Sequence, residues 1–540
     1  MLKKFQQYYI FKFETSRLKK ERYRIELDIK QGRKNGEVVG IGDSQMLRSL
    51  RSLKGQDNNP EVINELFLKR KRIRNKQSNK ENVEKLLEIE KELNSLLFVP
   101  EIVSVVIKDN RHYQNILDDG FFINKKRYVR LLCGAGNARR DTVIFIDIKY
   151  EEELKKILEN GYDHATKIAP AKFNAYFALS STATIEVSEP YFCVIPDCIT
   201  KRTEKIEFVE EGILDDIVSE KDMELEFNLF DGMGLISPRG AQMWADELEL
   251  DYIPSSFVIR NSFLKGMVSV FDFHAFSEQI GRHIIKDIWG NDVNTRDMDL
   301  ILSESQLKLW NAYTSISDYR TNCKQNRLKW GISRHAPKED KKHVFSNYQF
   351  LQVLDLDKDQ VEGISSKTLE YFDKTMSGEI EFLLLYLLGK NSKTYDENIF
   401  DKIGDNVAKA LVLNNSLIED TYIQNYIASS LNKKIKESYI GNLLLNGNYS
   451  TMISDPYAFA EHMFGLPVNG LLEKGKSYSN YWNMQQIDKV AACRAPLTWK
   501  SEVNVLNLVS EEEINKWYQY IYSGVIYNIH GVDCMLHADN

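Results

Sequence analysis

The spacing of apolar residues changes several times along the chain, and each change marks a new element. Residues 1–58 are mixed and polar, with a hairpin-like alternation at Tyr8–Phe13 and a Gly-punctuated loop from Gly32 to Gly42. After Pro60, Leu66, Ile73, Val83, Leu86, Leu87, Ile89, Leu93 and Leu96 predict one long helix from Glu61 to Leu97. Past Pro100, strands are predicted at Ile102–Ile107, Phe121–Val129 and Thr142–Ile146, and Glu151–Asn160 reads as a helix. Tyr191–Phe273 holds three more β-rich runs (Phe192–Ile195, Phe257–Arg260 and Met267–Phe273) around a charged interval, a Gly-hinged turn and one helical segment. From Phe276 to about Gln485 the period is mainly helical, broken by polar islands at 326–342 and 464–481. Strand character returns at Val490–Cys493, Val503–Leu508 and Gly524–His530.

A length of 540 residues with 43% hydrophobic content supports several domains with large cores. The longest apolar run, Phe382–Leu388, is far too short for a membrane span, and no signal-peptide pattern opens the chain. A soluble intracellular protein with no membrane partner is expected. The six cysteines form no CxxC pair, which argues against a zinc ribbon or a disulfide framework. The net charge of -7 is uneven: residues 1–100 carry 23 Lys and Arg against 14 Asp and Glu, the remainder 48 against 64. A basic segment on an acidic body suits contact with a polyanion such as nucleic acid. Its densest part is Lys69, Arg70, Lys71 and Arg72, which a solvated helix surface explains equally well. A second candidate, the Gly-rich turn Cys133–Ala138 followed by Arg139 and Arg140, has the residue types of a phosphate loop and also those of an ordinary turn.

No GxxxxGK[ST], HExxH or GxSxG motif occurs, so P-loop, metalloprotease and serine-nucleophile chemistry have no support. The central stretch supplies Lys265, beside Gly266 after a β-run, where an ammonium can meet a triphosphate or a 3′ end and offset phosphoryl charge. Arg260 stands five residues earlier, an odd spacing that on one regular strand puts the two side chains on opposite faces. Two surface cations on a β-ribbon are the structural alternative. The glycines of Asp231–Ser237 are expected to serve positive φ.

These motifs, in this order, resemble RNA polymerases that carry two double-psi β-barrels in one chain, the group of single-chain phage RNA polymerases and eukaryotic RNA-silencing RNA-dependent RNA polymerases. Asp231-Gly232-Met233-Gly234-Leu235-Ile236-Ser237 is similar to that family's DGxGxIS signature. Pro254–Arg260 with Lys265-Gly266-Met267-Val268 is similar to its PSxFQIR…KG segment. Asn347-Tyr348-Gln349 resembles the NYQ of the helical connector, and Arg494-Ala495-Pro496 the RxP element opening the second barrel. The resemblance covers roughly residues 120–540.

It implies an α+β fold: a basic helical N-terminal region (1–110), a first double-psi β-barrel (111–290), a long helical connector (291–485) and an incomplete second barrel (486–540). It implies a nucleotidyltransferase that makes RNA from NTPs on a DNA template, or alternatively on an RNA template. Lys265 would face the phosphates and, with Arg260 and Arg494, contact substrate, Arg494 lying near the incoming ribose. The family's DxDGD loop, whose aspartates hold Mg²⁺, is not among these residues. Met535–Asn540 is similar to the start of that loop, which makes Asp539 the candidate first catalytic and metal-binding carboxylate. On that register the chain alone is expected to be inactive, its Mg²⁺ site completed by further residues or by a second polypeptide carrying DxDGD. The expected setting is the host cytoplasm or a virion. Two alternatives stay open: a non-catalytic nucleic-acid-binding or virion protein with a polymerase-derived fold, and a helical nucleic-acid binder using residues 61–98.

Overall fold

The alternating run at the N-terminus does not turn back on itself. It is one strand, β1 (Gln7–Glu14), in a seven-stranded sheet with β2 (Arg24–Ile25), β3 (Val38–Gly42), β4 (Phe98–Val106), β5 (Phe121–Ile123), β6 (Lys126–Leu132) and β7 (Thr142–Asp147). The strand order is β2-β5-β6-β7-β4-β1-β3. Residues 6–18, 23–56, 60–75, 79–108, 113–210, 212, 217–387, 406–494, 497 and 502–531 are described by this computed structural model. The phase of β1 shifts midway: Tyr8 and Ile10 enter one core, Phe11 and Phe13 another on the opposite face. The pairing of β1 with β4 is irregular at the same place, between Tyr9 and Phe11. The sheet is thus buried on both faces and joins strands from either side of residue 110, inside which the expected domain limit falls.

The helix expected over 61–97 is two helices, Pro60–Arg74 and Lys80–Leu97. Asn79 starts the second one, its Oδ1 accepting the N–H of Asn82 at 2.7 Å. An Arg74–Glu90 pair at 3.0 Å ties the two together.

The next strands are β8 (Ile185–Val187), β9 (Phe192–Ile195), β10 (Ile199–Glu210), β11 (Ile217–Asn228), β12 (Met233–Ile236), β13 (Ser256–Asn261), β14 (Leu264–Val270), β15 (Ile284–Lys286), β16 (Asp292–Asn294), β17 (Leu300–Ser303) and β18 (Trp330–His335). Seven of them form a mixed sheet in the order β8-β18-β13-β14-β12-β17-β9, while β10–β11 and β15–β16 are separate two-stranded pairs. The charged interval of the sequence is the β10–β11 ribbon, paired over its whole length from Ile199↔Asn228 to Glu210↔Ile217. Helix Pro238–Glu247 packs on the sheet through the fully buried Trp244, whose ring lies 5.5 Å from Phe257 and 6.3 Å from Trp330. This sheet ends at His335, so the limit expected at 290 also falls inside it. Strands β16–β18 fall within 291–485, where a helical connector was expected, and the reason for the difference is their length. Runs such as Leu300–Ser303, buried at every position, are too short for periodicity to separate strand from helix.

The chain forms two units: residues 1–338 with 453–471 and 516–521, and residues 339–452 with 472–515 and 522–540. In the first, the two returning segments complete the core. Trp517 stacks on Phe271 with ring centroids 5.6 Å apart, and Phe464 stacks on Phe276 at 5.9 Å. Asp455, fully buried, caps helix Pro456–Met463 through the N–H groups of Tyr457 and Ala458, and also accepts the Tyr518 hydroxyl at 2.7 Å and the Leu471 N–H at 2.9 Å. In the second unit, helices Lys358–Met376, Ile380–Leu387, Asn406–Leu413 and Thr421–Tyr439 precede a sheet. There Val525–Tyr527, Lys476–Tyr478, Val503–Leu508 and Lys489–Cys493 are successive neighbours around Leu506, Leu508 and Tyr527. Among the described residues, no helix is long and apolar enough to cross a membrane.

Replacing Asp455 with Ala removes a helix cap and strands the buried Tyr518 hydroxyl. The expected cost is about 2–4 kcal/mol of stability by chemical denaturation, with Asp455→Asn losing less. An alanine variant as stable as wild type would contradict this account of how the returning segments are held.

Candidate active-site hairpin

Lys265 and Arg260 meet across a hairpin. Strands β13 and β14 pair antiparallel with Arg260 opposite Lys265 and Asn261 opposite Leu264, leaving Ser262 and Phe263 as the turn. Residues opposed in this way lie on the same face of the pair. The reversal of the chain therefore unites the two cations, where a single regular strand would have separated them.

The turn is held from three sides. Phe263 has φ of 51°, a region that bulky residues rarely enter, and its ring is buried with Tyr162 and Leu309. Its carbonyl accepts the Lys308 N–H at 2.9 Å, and the Ser262 carbonyl accepts the hydroxyl of the buried Tyr319 at 2.8 Å. The contact with Lys308 brings a third cation into the group. Loss of hydration lowers the Lys265 pKa below the ordinary lysine range; the charges of Arg260 and Lys308 lower it further, and Asp231 opposes them. Loss of hydration alone pushes Arg260 down to about 10, still cationic at neutral pH.

Behind the hairpin stands Gln306, a fully buried residue that no sequence pattern singled out. Its Nε2 donates to the carbonyls of Met267 (3.0 Å) and Gly232 (3.2 Å), and its Oε1 accepts the Ser303 N–H at 3.1 Å. One amide thereby joins the Asp231–Ser237 segment, β14 and the end of β17. The glycines make room for it. A Cβ on Gly266 would overlap the Gln306 amide, and a Cβ on Gly234 would lie 2.6 Å from its Oε1 and 2.5 Å from the Ile301 carbonyl. Of the two glycines in the DGMG turn, only Gly232 has positive φ, at 64°. The Gly232 N–H donates to Ser305 Oγ at 2.9 Å, and the Ser305 N–H donates in turn to Asp197 at 3.0 Å. Burial raises the Asp197 pKa, with the Ser305 hydrogen bonds opposing.

The other candidates stand apart from this group in the sequence. Lys69, Arg70, Lys71 and Arg72 lie on helix Pro60–Arg74, where Lys69 pairs with Glu65 at 3.8 Å and Arg70 covers the Phe67 ring at 5.1 Å. Arg139 and Arg140 are exposed after the single turn Ala135–Ala138. The N–H groups of Asn137, Ala138 and Arg140 bond to carbonyls within that turn. Asn347 caps the short helix Tyr348–Gln352, and Arg494 follows strand Lys489–Cys493 on the surface of the second unit. Ala495, Pro496 and Asp539 lie outside the described residues. No group of three His, Cys, Asp or Glu side chains among the described residues could hold a metal ion. The described residues therefore do not by themselves fit Mg²⁺.

Two outcomes follow from this geometry. Gly266→Ala should displace Gln306 and cost about 2–4 kcal/mol, and the Gly266→Ala/Gln306→Ala double variant should lose less than the sum of its singles. Additive losses in denaturant would mean that the two do not share space. Lys265, its pKa depressed, should be acylated faster than Lys69 at mildly alkaline pH when modification is read by mass spectrometry; equal or slower labelling contradicts the depression. Because the folded state disfavours its ammonium form, the Lys265 contribution to stability grows as pH rises towards the ordinary lysine range, opposite in sign to a salt-bridged lysine.

Comparison with known proteins agrees with the resemblance to RNA polymerases. The chain is 27% identical over 455 residues to the DNA-directed RNA polymerase YonO of Bacillus phage SPbeta, an alignment covering 81% of this chain and 50% of that protein. It thus spans about half the length of the curated relative it matches. Among solved structures, the RNA dependent RNA polymerase QDE-1 from Thielavia terrestris superimposes with a TM-score of 0.49 and 15% identity over 80% of this chain and 46% of that one. The family described as RNA dependent RNA polymerase matches residues 67–519, most of the chain, and the protein belongs to that family.

Proposed function

We propose that this chain contributes the phosphate-facing part of an RNA polymerase, a nucleotidyltransferase joining NTPs into RNA on a nucleic-acid template. The observation that carries this is the hairpin: Lys265, Arg260 and Lys308 gathered around one rigid turn, beside a glycine turn anchored by Gln306. Such a group is suited to offset the charge that builds on a phosphoryl group during transfer, because its cations are already in place and need little reorganisation. In this reading the β8–β18 sheet is the first double-psi barrel, the helices after Tyr348 the connector, and the sheet around Leu506 the opening of the second barrel. Arg494 would lie towards the ribose of the incoming nucleotide. No DxDGD sequence occurs in residues 1–540, so we propose that the Mg²⁺-binding aspartates are completed by residues additional to these.

DNA is the favoured template, on the strength of the phage relative. The family description favours RNA instead, and is the reason to test both. The experiment is RNA synthesis by the complete polypeptide or polypeptides carrying residues 1–540, on matched single-stranded DNA and RNA templates. Templated product is expected, and Lys265→Ala should lower its rate at least about 100-fold without lowering the melting temperature, since Lys265 is exposed and its charge is disfavoured by the fold. Absence of product on both templates, or full activity in Lys265→Ala, would refute the reading. A catalytically silent protein that still binds nucleic acid would point to the non-catalytic alternative.

A further inference from the structure

The ribbon of β10 and β11 presents a sheet edge whose two faces carry different chemistry. Among the described residues the two strands pair only with each other, so β11 has no strand on its outer side. Every second residue there points its N–H and C=O away from β10, in position to pair with added chain. On one face β11 sets Glu220, Asp222, Glu224 and Glu226 in an unbroken row, all four exposed. On the other it sets Met223, Leu225 and Phe227, each half-buried, with Ile206 of β10 on the same face. The acidic row is answered only in part. Lys201 reaches Glu224 at 3.3 Å and Glu226 at 3.0 Å, one exposed ammonium shared between two carboxylates. Lys205, the register partner of Asp222, is the other cation that β10 places on this face.

We propose that the β11 edge docks an extended segment of a partner protein in which basic residues alternate with apolar ones. Such a segment would add as a third strand, its backbone pairing with the outward groups of β11. Neighbours across a ladder share a face, so its Lys or Arg side chains would fall beside the four carboxylates. Its apolar side chains would extend the face of Met223, Leu225 and Phe227. A two-stranded ribbon is marginally stable by itself, and a third strand with an apolar face is what it lacks. Charge selects the occupant. A nucleic-acid strand would bring phosphates against a row of carboxylates, and a second copy pairing through β11 would set one acidic row beside another. Both are repelled where a basic segment is attracted. The proposal is independent of the polymerase reading, since no residue of the Lys265 hairpin takes part.

The test is fluorescence anisotropy with the full chain and a labelled peptide of alternating lysine and valine, about eight residues long to match an ordinary strand. Two control peptides carry the same apolar content: alternating glutamate and valine, and lysines and valines in two blocks. The alternating lysine peptide should bind at least about tenfold tighter than either control, and more weakly as salt is raised. Asp222→Asn/Glu224→Gln, which keeps shape and removes charge, should cost about fivefold in affinity. Asp222→Lys/Glu224→Lys should reverse the preference towards the glutamate peptide; should that variant fail to fold, the isosteric one decides. Bound peptide should slow amide hydrogen exchange within Ile217–Asn228, which a loose ionic contact would not do. Absence of binding, equal affinity for the three peptides, unchanged affinity in the Asn/Gln variant, or unaltered exchange in β11 would overturn the proposal. Protection of those amides by a single-stranded oligonucleotide, or by raising the protein concentration alone, would overturn it in favour of nucleic acid or a second copy.

Discussion

A buried primary amide needs all its hydrogen bonds, and in this protein that demand organises the hairpin. Gln306 satisfies it with two carbonyls and one N–H drawn from separate stretches of chain, and it reaches them only because Gly234 and Gly266 carry no side chain. A glutamine placed like this costs free energy whenever one partner moves, which makes the arrangement nearly all-or-none. The position of Lys265 one residue before Gly266 follows from it. So does the closeness of the cations, which repel one another and have to be held by something other than attraction.

The parts of this arrangement that were legible in the sequence were local. Gly232 announced its positive φ, the run Phe257–Arg260 its strand, and Lys265 its place after a β-run. What was not legible is what depends on pairing between distant segments. Arg260 and Lys265 change from opposite faces to the same face once a two-residue turn, rather than a continuous strand, separates them. Gln306 sits in an ordinary-looking Glu-Ser-Gln-Leu stretch, and nothing there signals that two glycines far upstream are shaped around it.

The fold divides in the same way. Long strands with a dominant face and long helices were readable, whereas four-residue strands such as Leu300–Ser303 were not, because a short fully apolar run has no usable period. The charged β10–β11 ribbon escaped for the converse reason: paired strands exposed to water on one face need few apolar residues, so the stretch read only as a charged interval. The break between helices Pro60–Arg74 and Lys80–Leu97 was signalled by Asn79 but hidden by the continuity of leucines on either side.

The first unit is not contiguous in the chain, and this has a consequence for how the protein is made. Its core includes Phe271 under Trp517 and the Tyr518 hydroxyl on Asp455, so residues 1–338 leave the ribosome with aromatic surface still uncovered. That surface stays open until Lys516–Ile521 has been synthesised, after nearly all of the second unit has been threaded between. Folding of the hairpin-bearing unit is therefore coupled to completion of the chain by contacts of very long sequence separation, which makes it slow and exposes the intermediate to aggregation.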